Sequence, residues 1–189
     1  MGTLVQEFTR EPHGRRILKR TLRGITALAT LVTMAGSVYA QRNPRGKARL
    51  NLQGRLVTVE YGRPSLRGRT VYEMLSKLPA DGVWRLGADT STTFSTDGDL
   101  MFGDTKIPRG VYSLWARKDT HGAWKLVFNS EHGQSGTRRN SKLDFAEVPM
   151  KTSRAADPPD EVTIWLTKNK TGGMIAIEWG DLRLYTEFN

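Results

Sequence analysis

The chain has 189 residues, enough for one domain with a sizeable core, and no cysteine, which excludes disulfides, thiolate metal sites, thiol catalysis and a lipoprotein anchor. Its 29 Lys and Arg against 19 Asp and Glu give a net charge of +10, but part of that excess belongs to the first 40 residues. Removing them takes away six bases and two acids and leaves about +6, which suits an anionic ligand or an anionic surface.

The first segment has the pattern of a targeting signal. "GRRILKRTLRG" is a basic stretch without acids, and the uncharged "ITALATLVTMAGSVYA" follows, with Val38 and Ala40 at the −3 and −1 positions of a cleavage site. The apolar run is shorter than the roughly 20 residues of a membrane-spanning helix. We therefore expect a signal peptide at 1–40 cleaved after Ala40, ordinary secretory export rather than the twin-arginine route, a periplasmic or extracellular location, and no stable membrane span afterwards. Nucleic acid is not an expected partner of an exported chain.

A flexible segment at 41–49 and a single domain at 50–189 are expected next. "RLVTVEY" places Val57, Val59 and Tyr61 on one face, the period of a half-buried strand. A two-residue turn at Gly54-Arg55 would pair it with "ARLNLQ". "YGRPSLRGRT" (61–70) then cannot continue the strand. Pro64 forces Arg63 into an extended backbone, while Gly62 and Gly68 permit dihedrals other residues avoid. It reads as a bent loop carrying Arg63, Arg67 and Arg69, with Arg67 solvated at its tip.

"TVYEMLSKL" is the one helix, near 71–78, with Thr70 three residues before Glu73 as a capping box and Pro79 as a stop. "WRLGADTSTT" follows, with Arg85 beside Trp84, then Asp89 and hydroxyls. Period-two runs resume in "AWKLVFN", "EVTIWLT", "MIAIEW" and "LRLYTEF". They place Trp124 and Trp179 with aliphatic residues in the core and turn Trp165 outward or toward a second layer. "NSEHGQSGTRRNSK" (129–142) reads as an exposed polar loop. The fold expected is all-β: a single-domain antiparallel sandwich, jelly-roll-like, of about eight or nine strands.

"VEYGRPSLRGRTV", "VWRLGAD", "IPRGVYSLWA", "WKLVFN" and the closing "IEWGDLRLYTEF" together resemble a bacterial family of exported proteins, domain of unknown function 2911, from about Leu50 to the C-terminus. The resemblance implies an all-β domain and export, and it implies no activity. Asp89 stands where the family pattern has Asn, and its charge weakens an anion site.

Tyr61, Arg63, Arg69, Trp84, Arg85 and Asp89 are the candidate ligand-binding residues, on two loops that could share one rim. The arginines would supply forked donors for an anionic or polyhydroxylated ligand or an acidic peptide, and the aromatics an apolar floor. The competing reading makes these arginines loop staples, with Arg85 pairing Asp89. Catalysis has thin support. His121 falls in a turn, "EHGQSG" lacks the spacing of a nucleophile elbow, and there is no metal-ligand spacing or cofactor motif. A binding domain is the leading reading. A hydrolase using a loop carboxylate such as Asp89, or a structural protein of the cell envelope, are the alternatives.

Overall fold

The structure, a computed structural model, describes residues 43–78 and 82–189; the expected signal peptide at 1–40 lies outside them. The described chain is an all-β domain of twelve strands: β1 (Arg45–Leu52), β2 (Arg55–Gly62), β3 (Val83–Trp84), β4 (Thr92–Thr96), β5 (Leu100–Phe102), β6 (Thr105–Ile107), β7 (Gly110–Lys118), β8 (Trp124–Asn129), β9 (Asp144–Arg154), β10 (Thr163–Lys168), β11 (Gly173–Trp179) and β12 (Leu182–Phe188). The helix α1 (Val71–Leu75) lies between β2 and β3. Nine strands form one antiparallel path, β1-β2-β4-β7-β8-β9-β12-β11-β10, which agrees with the number expected; β3 adds to it through β7, and β5 and β6 form a separate hairpin.

The two layers of the sandwich are halves of this one sheet. It curls until its terminal strands β1 and β10 lie side by side, giving a nearly closed barrel. Inward-facing residues of every long strand fill it, among them Val57, Val59, Phe94, Leu114, Leu126, Ile175, Ile177 and Leu184, each fully buried. Strand alternation delivers these side chains to one face, and the apolar area removed from water drives closure.

The two ends of the barrel differ. At one end the β5–β6 hairpin inserts Leu100, Phe102 and Ile107, and Phe102 packs against Phe94, Phe128 and Phe188 with ring centroids 5.1–6.5 Å apart. The other end carries the tryptophans. Trp84 stacks on Trp179 at 5.6 Å and meets Trp124 edge-on at 6.4 Å, and α1 lies over them. Its capping box is formed as expected, with Thr70 Oγ1 accepting from the Glu73 N–H and Glu73 Oε2 accepting from the Thr70 N–H at 2.6 Å.

Two local expectations change. β1 begins at Arg45, inside the 41–49 segment expected to be flexible, because its Arg45–Leu52 backbone pairs with β2 throughout. The β1–β2 turn is Gln53-Gly54, one residue earlier than expected, and both residues take positive φ (54° and 85°), as a tight two-residue hairpin requires. The 129–142 loop is largely exposed, as expected, and it is also pinned: Ser91 N–H donates to the Gln134 carbonyl, Gly136 N–H donates to the Asp89 carbonyl at 2.7 Å, and Asn129, fully buried, holds Asn140 and Asp144.

Candidate functional site

The "YGRPSLRGRT" loop serves barrel closure first. Tyr61 is buried, and its hydroxyl accepts from the Ile164 N–H at 3.0 Å on β10. Beyond β2 the chain pairs with the segment leading into β10: Val162 N–H donates to the Pro64 carbonyl and Leu66 N–H to the Asp160 carbonyl. Arg63 joins the same seam, with Nε on the Val162 carbonyl and Nη2 3.1 Å from Glu161. Arg69 Nε donates to the Leu66 carbonyl at 2.8 Å, tying the bend to itself. Arg67 is exposed, at positive φ beside Gly68, the solvated tip expected.

The second connection, 84–91, turns sharply, with Leu86 and Asp89 at φ of 53° and 63°. The Asp89 carboxylate accepts from Asn43, through its backbone N–H at 2.9 Å and its side-chain amide at 3.3 Å. It makes no ion pair with Arg85. Arg85 Nε donates to the Gly87 carbonyl at 3.1 Å, and among the described residues its guanidinium has no carboxylate partner.

Trp84 and Arg85 line a cavity of about 560 Å³ at the tryptophan end of the barrel. One wall is α1 and the turn after it, through Met74, Leu75, Lys77 and Leu78. The facing wall is the 129–142 loop, through Thr137, Arg139 and Ser141, with Trp115 behind it. Trp179 and Pro64 complete the apolar part. Arg139 is ion-paired with Asp144 and lies 6.0 Å over the Trp115 ring, which fixes its guanidinium and offsets its charge. Tyr61, Arg63, Arg69 and Asp89 are not among the lining residues; their polar groups are bonded to neighbouring backbone or to Glu161 and Asn43.

Arg139 and Trp115 escaped the sequence reading. Trp115 alternates out of the core between Leu114 and Ala116, yet is buried with Val83 and Val127 as a separate apolar cluster. The only signal was an outward tryptophan followed by a long polar loop able to fold over it.

Residues 43–188 match the family model described as Protein of unknown function (DUF2911). The chain belongs to this family. Neither the curated proteins nor the solved structures contain a match to it. In this DUF2911 domain the two signature segments, Tyr-Gly-Arg-Pro and Trp-Arg-Leu-Gly-Ala-Asp, pack backbone against backbone. A Cβ on Gly62 would collide with the Ala88 carbonyl, and one on Gly87 would lie 3.0 Å from the Gly62 oxygen and 2.9 Å from Thr92 Oγ1. Glycine at both positions permits the contact, which holds Arg85 at the cavity wall.

Proposed function

We propose that this DUF2911 protein is an exported, non-catalytic binding domain that holds a small anion with an apolar body in the cavity between α1 and the 129–142 loop. The observation that carries this reading is Arg85: its guanidinium lines a cavity walled by tryptophan and aliphatic side chains and has no carboxylate partner among the described residues. Forked charge-assisted donors in such a setting favour a carboxylate or phosphate. The polar side chains of the described lining residues are Lys77, Arg85, Thr137, Arg139 and Ser141, all cations or hydroxyls, with no carboxylate or amide acceptor among them. Of these side chains only the Thr137 and Ser141 oxygens could accept the hydroxyl protons of a polyhydroxylated ligand, whereas all five can donate to an anion. The volume lies within the range of small-molecule sites and favours a compact ligand over an acidic peptide.

A hydrolytic role draws no support from Asp89, whose carboxylate is engaged by Asn43, and neither His121 nor His132 lines the cavity. The extracytoplasmic location rests on the basic and apolar N-terminal segment and the Val38–Ala40 cleavage pattern.

Calorimetric titration of the full chain with hexanoate and benzoate, repeated on Arg85→Gln, tests the reading. Saturable binding of either acid, weakened at least tenfold in the variant, is the expected result. Equal affinity in both proteins, or no binding in either, overturns it.

A further inference from the structure

We infer that the ligand is an amphipathic carboxylate with a straight apolar tail, its head group at Arg85 and its tail passing beneath α1 into a second cavity. This rests on the anion reading above and specifies the ligand of that same site.

The second cavity, of about 240 Å³, lies on the other side of α1 and is lined by Tyr72, Ser76, Lys118, Trp124 and Leu182, together with Leu75 and Leu78. Leu75 and Leu78 also line the first cavity. The two spaces therefore share a partition made of two side chains. Below the partition the floor is continuous, because Trp84 of the first cavity is in edge contact with Trp124 of the second, and Trp179 stacks behind it.

The partition is held weakly. α1 has five residues, of which only Val71 is buried, and Met74, Leu75 and Leu78 are half-buried against the core. A helix this short has no stability of its own and depends on that packing. Turning Leu75 and Leu78 to another rotamer joins the cavities, and an alkyl chain lying on Trp84 restores the apolar contact they give up. Among the described residues neither Arg85 in the first cavity nor Lys118 in the second has an acidic partner, and Lys118 Nζ lies 5.8 Å from the Trp124 ring. The head is assigned to Arg85 because the first cavity is the larger and carries the hydroxyls of Thr137 and Ser141 beside it.

The test is a titration of the full chain with straight-chain carboxylates from butanoate to dodecanoate, each below its micelle concentration, read by calorimetry. Affinity is expected to rise roughly fourfold per added methylene and to keep rising past the length that fills the first cavity. Ser76→Trp, at an exposed position on the wall of the second cavity alone, is expected to stop that rise early while leaving butanoate affinity unchanged. Leu182→Phe fills the same space from the opposite wall and serves if the first variant folds poorly. A plateau at the same chain length in wild type and variants overturns the inference, as does tighter binding of the α,ω-dicarboxylate of equal length. These outcomes differ from failure of the anion reading, in which hexanoate does not bind or binds independently of Arg85.

Discussion

The Tyr61 hydroxyl accepts the backbone N–H of Ile164 at 3.0 Å across 103 residues of chain. β10 ends the strand path, so its outer backbone edge has no strand partner, and a side chain from β2 reaches it past β1. The ring passes because its cross-strand neighbour is Gly46, where a Cβ would stand 2.5 Å from Tyr61 Cζ. One tyrosine thus substitutes for a missing row of the ladder at the seam of the barrel.

Tyr61→Phe should therefore cost about 1–3 kcal/mol, the penalty of leaving a buried N–H without an acceptor. Gly46→Ala should cost a similar amount, about 1–3 kcal/mol, by pushing the ring off its path. Chemical denaturation of both variants and the double variant checks this. If the two costs add fully, the glycine and the ring do not act as one unit.

Gly62→Ala should be worse than Gly46→Ala, on the order of 3 kcal/mol or more, because the obstructing atom is the Ala88 carbonyl and not a movable side chain. Its melting temperature, compared with that of Gly54→Ala, isolates the contact. Gly54 is the opposite case: it takes φ of 85° with nothing near its Cβ direction, whereas Gly62 has no positive φ, so the comparison separates collision from backbone strain.

The arginines should divide by role. Arg63→Ala removes a partly exposed ion pair with Glu161 and should lower stability by about 1 kcal/mol or less. Carboxylate affinity should be unchanged, and the same holds for Arg69→Ala. Arg85→Ala should weaken affinity by roughly tenfold to a hundredfold, the worth of a charge-assisted bond. Parallel titrations of the three variants decide, and loss of affinity in Arg63→Ala would place the site elsewhere.

The helix cap should be sensitive to acid. The Thr70 N–H and hydroxyl bonded to Glu73 hold its carboxyl below the ordinary value of 4.5. A lowered folded-state pKa stabilises fully above 4.5, and the gain is lost as pH falls through the folded value. Glu73→Gln should accordingly melt below the wild type near neutral pH and match it in strong acid, as thermal scans across that range would show. A difference that persists at low pH would mean the carboxylate charge is not what holds the cap.

Iodide should find one tryptophan. Trp165 is 50% exposed, with Nε1 donating to Glu178 at 2.8 Å, whereas Trp84, Trp115, Trp124 and Trp179 are at most 5% exposed. Trp165→Phe should remove nearly all iodide-quenchable fluorescence. Substantial residual quenching would indicate that α1 or the 129–142 loop opens over the buried rings.

Much of the architecture was legible in the residues. Alternation in "RLVTVEY", "AWKLVFN" and "MIAIEW" marks strands because a strand with one face in the core must repeat every two residues, and Thr70 with Glu73 announces a cap because both bonds form within four residues. These relations are local, so the chain order contains them. The site was only half legible. Trp84 and Arg85 were identified from their own segment, but Arg139 reaches the cavity on a loop whose path depends on Gly136, Asp89 and Gln134, far apart in order, and Trp115 of β7 lies behind that same loop.

The amino-acid sequence alone determined an all-β, cysteine-free domain, its strand faces, its short capped helix and its family. Tertiary structure decided which arginine is spent. Arg63, Arg69 and Arg85 are the same cation in similar glycine-rich bends, and what separates them is the partner each meets: Glu161, the Leu66 carbonyl, or an open cavity. Closure of a curled sheet sets those meetings between strands remote in the chain, and no local pattern of residues encodes them.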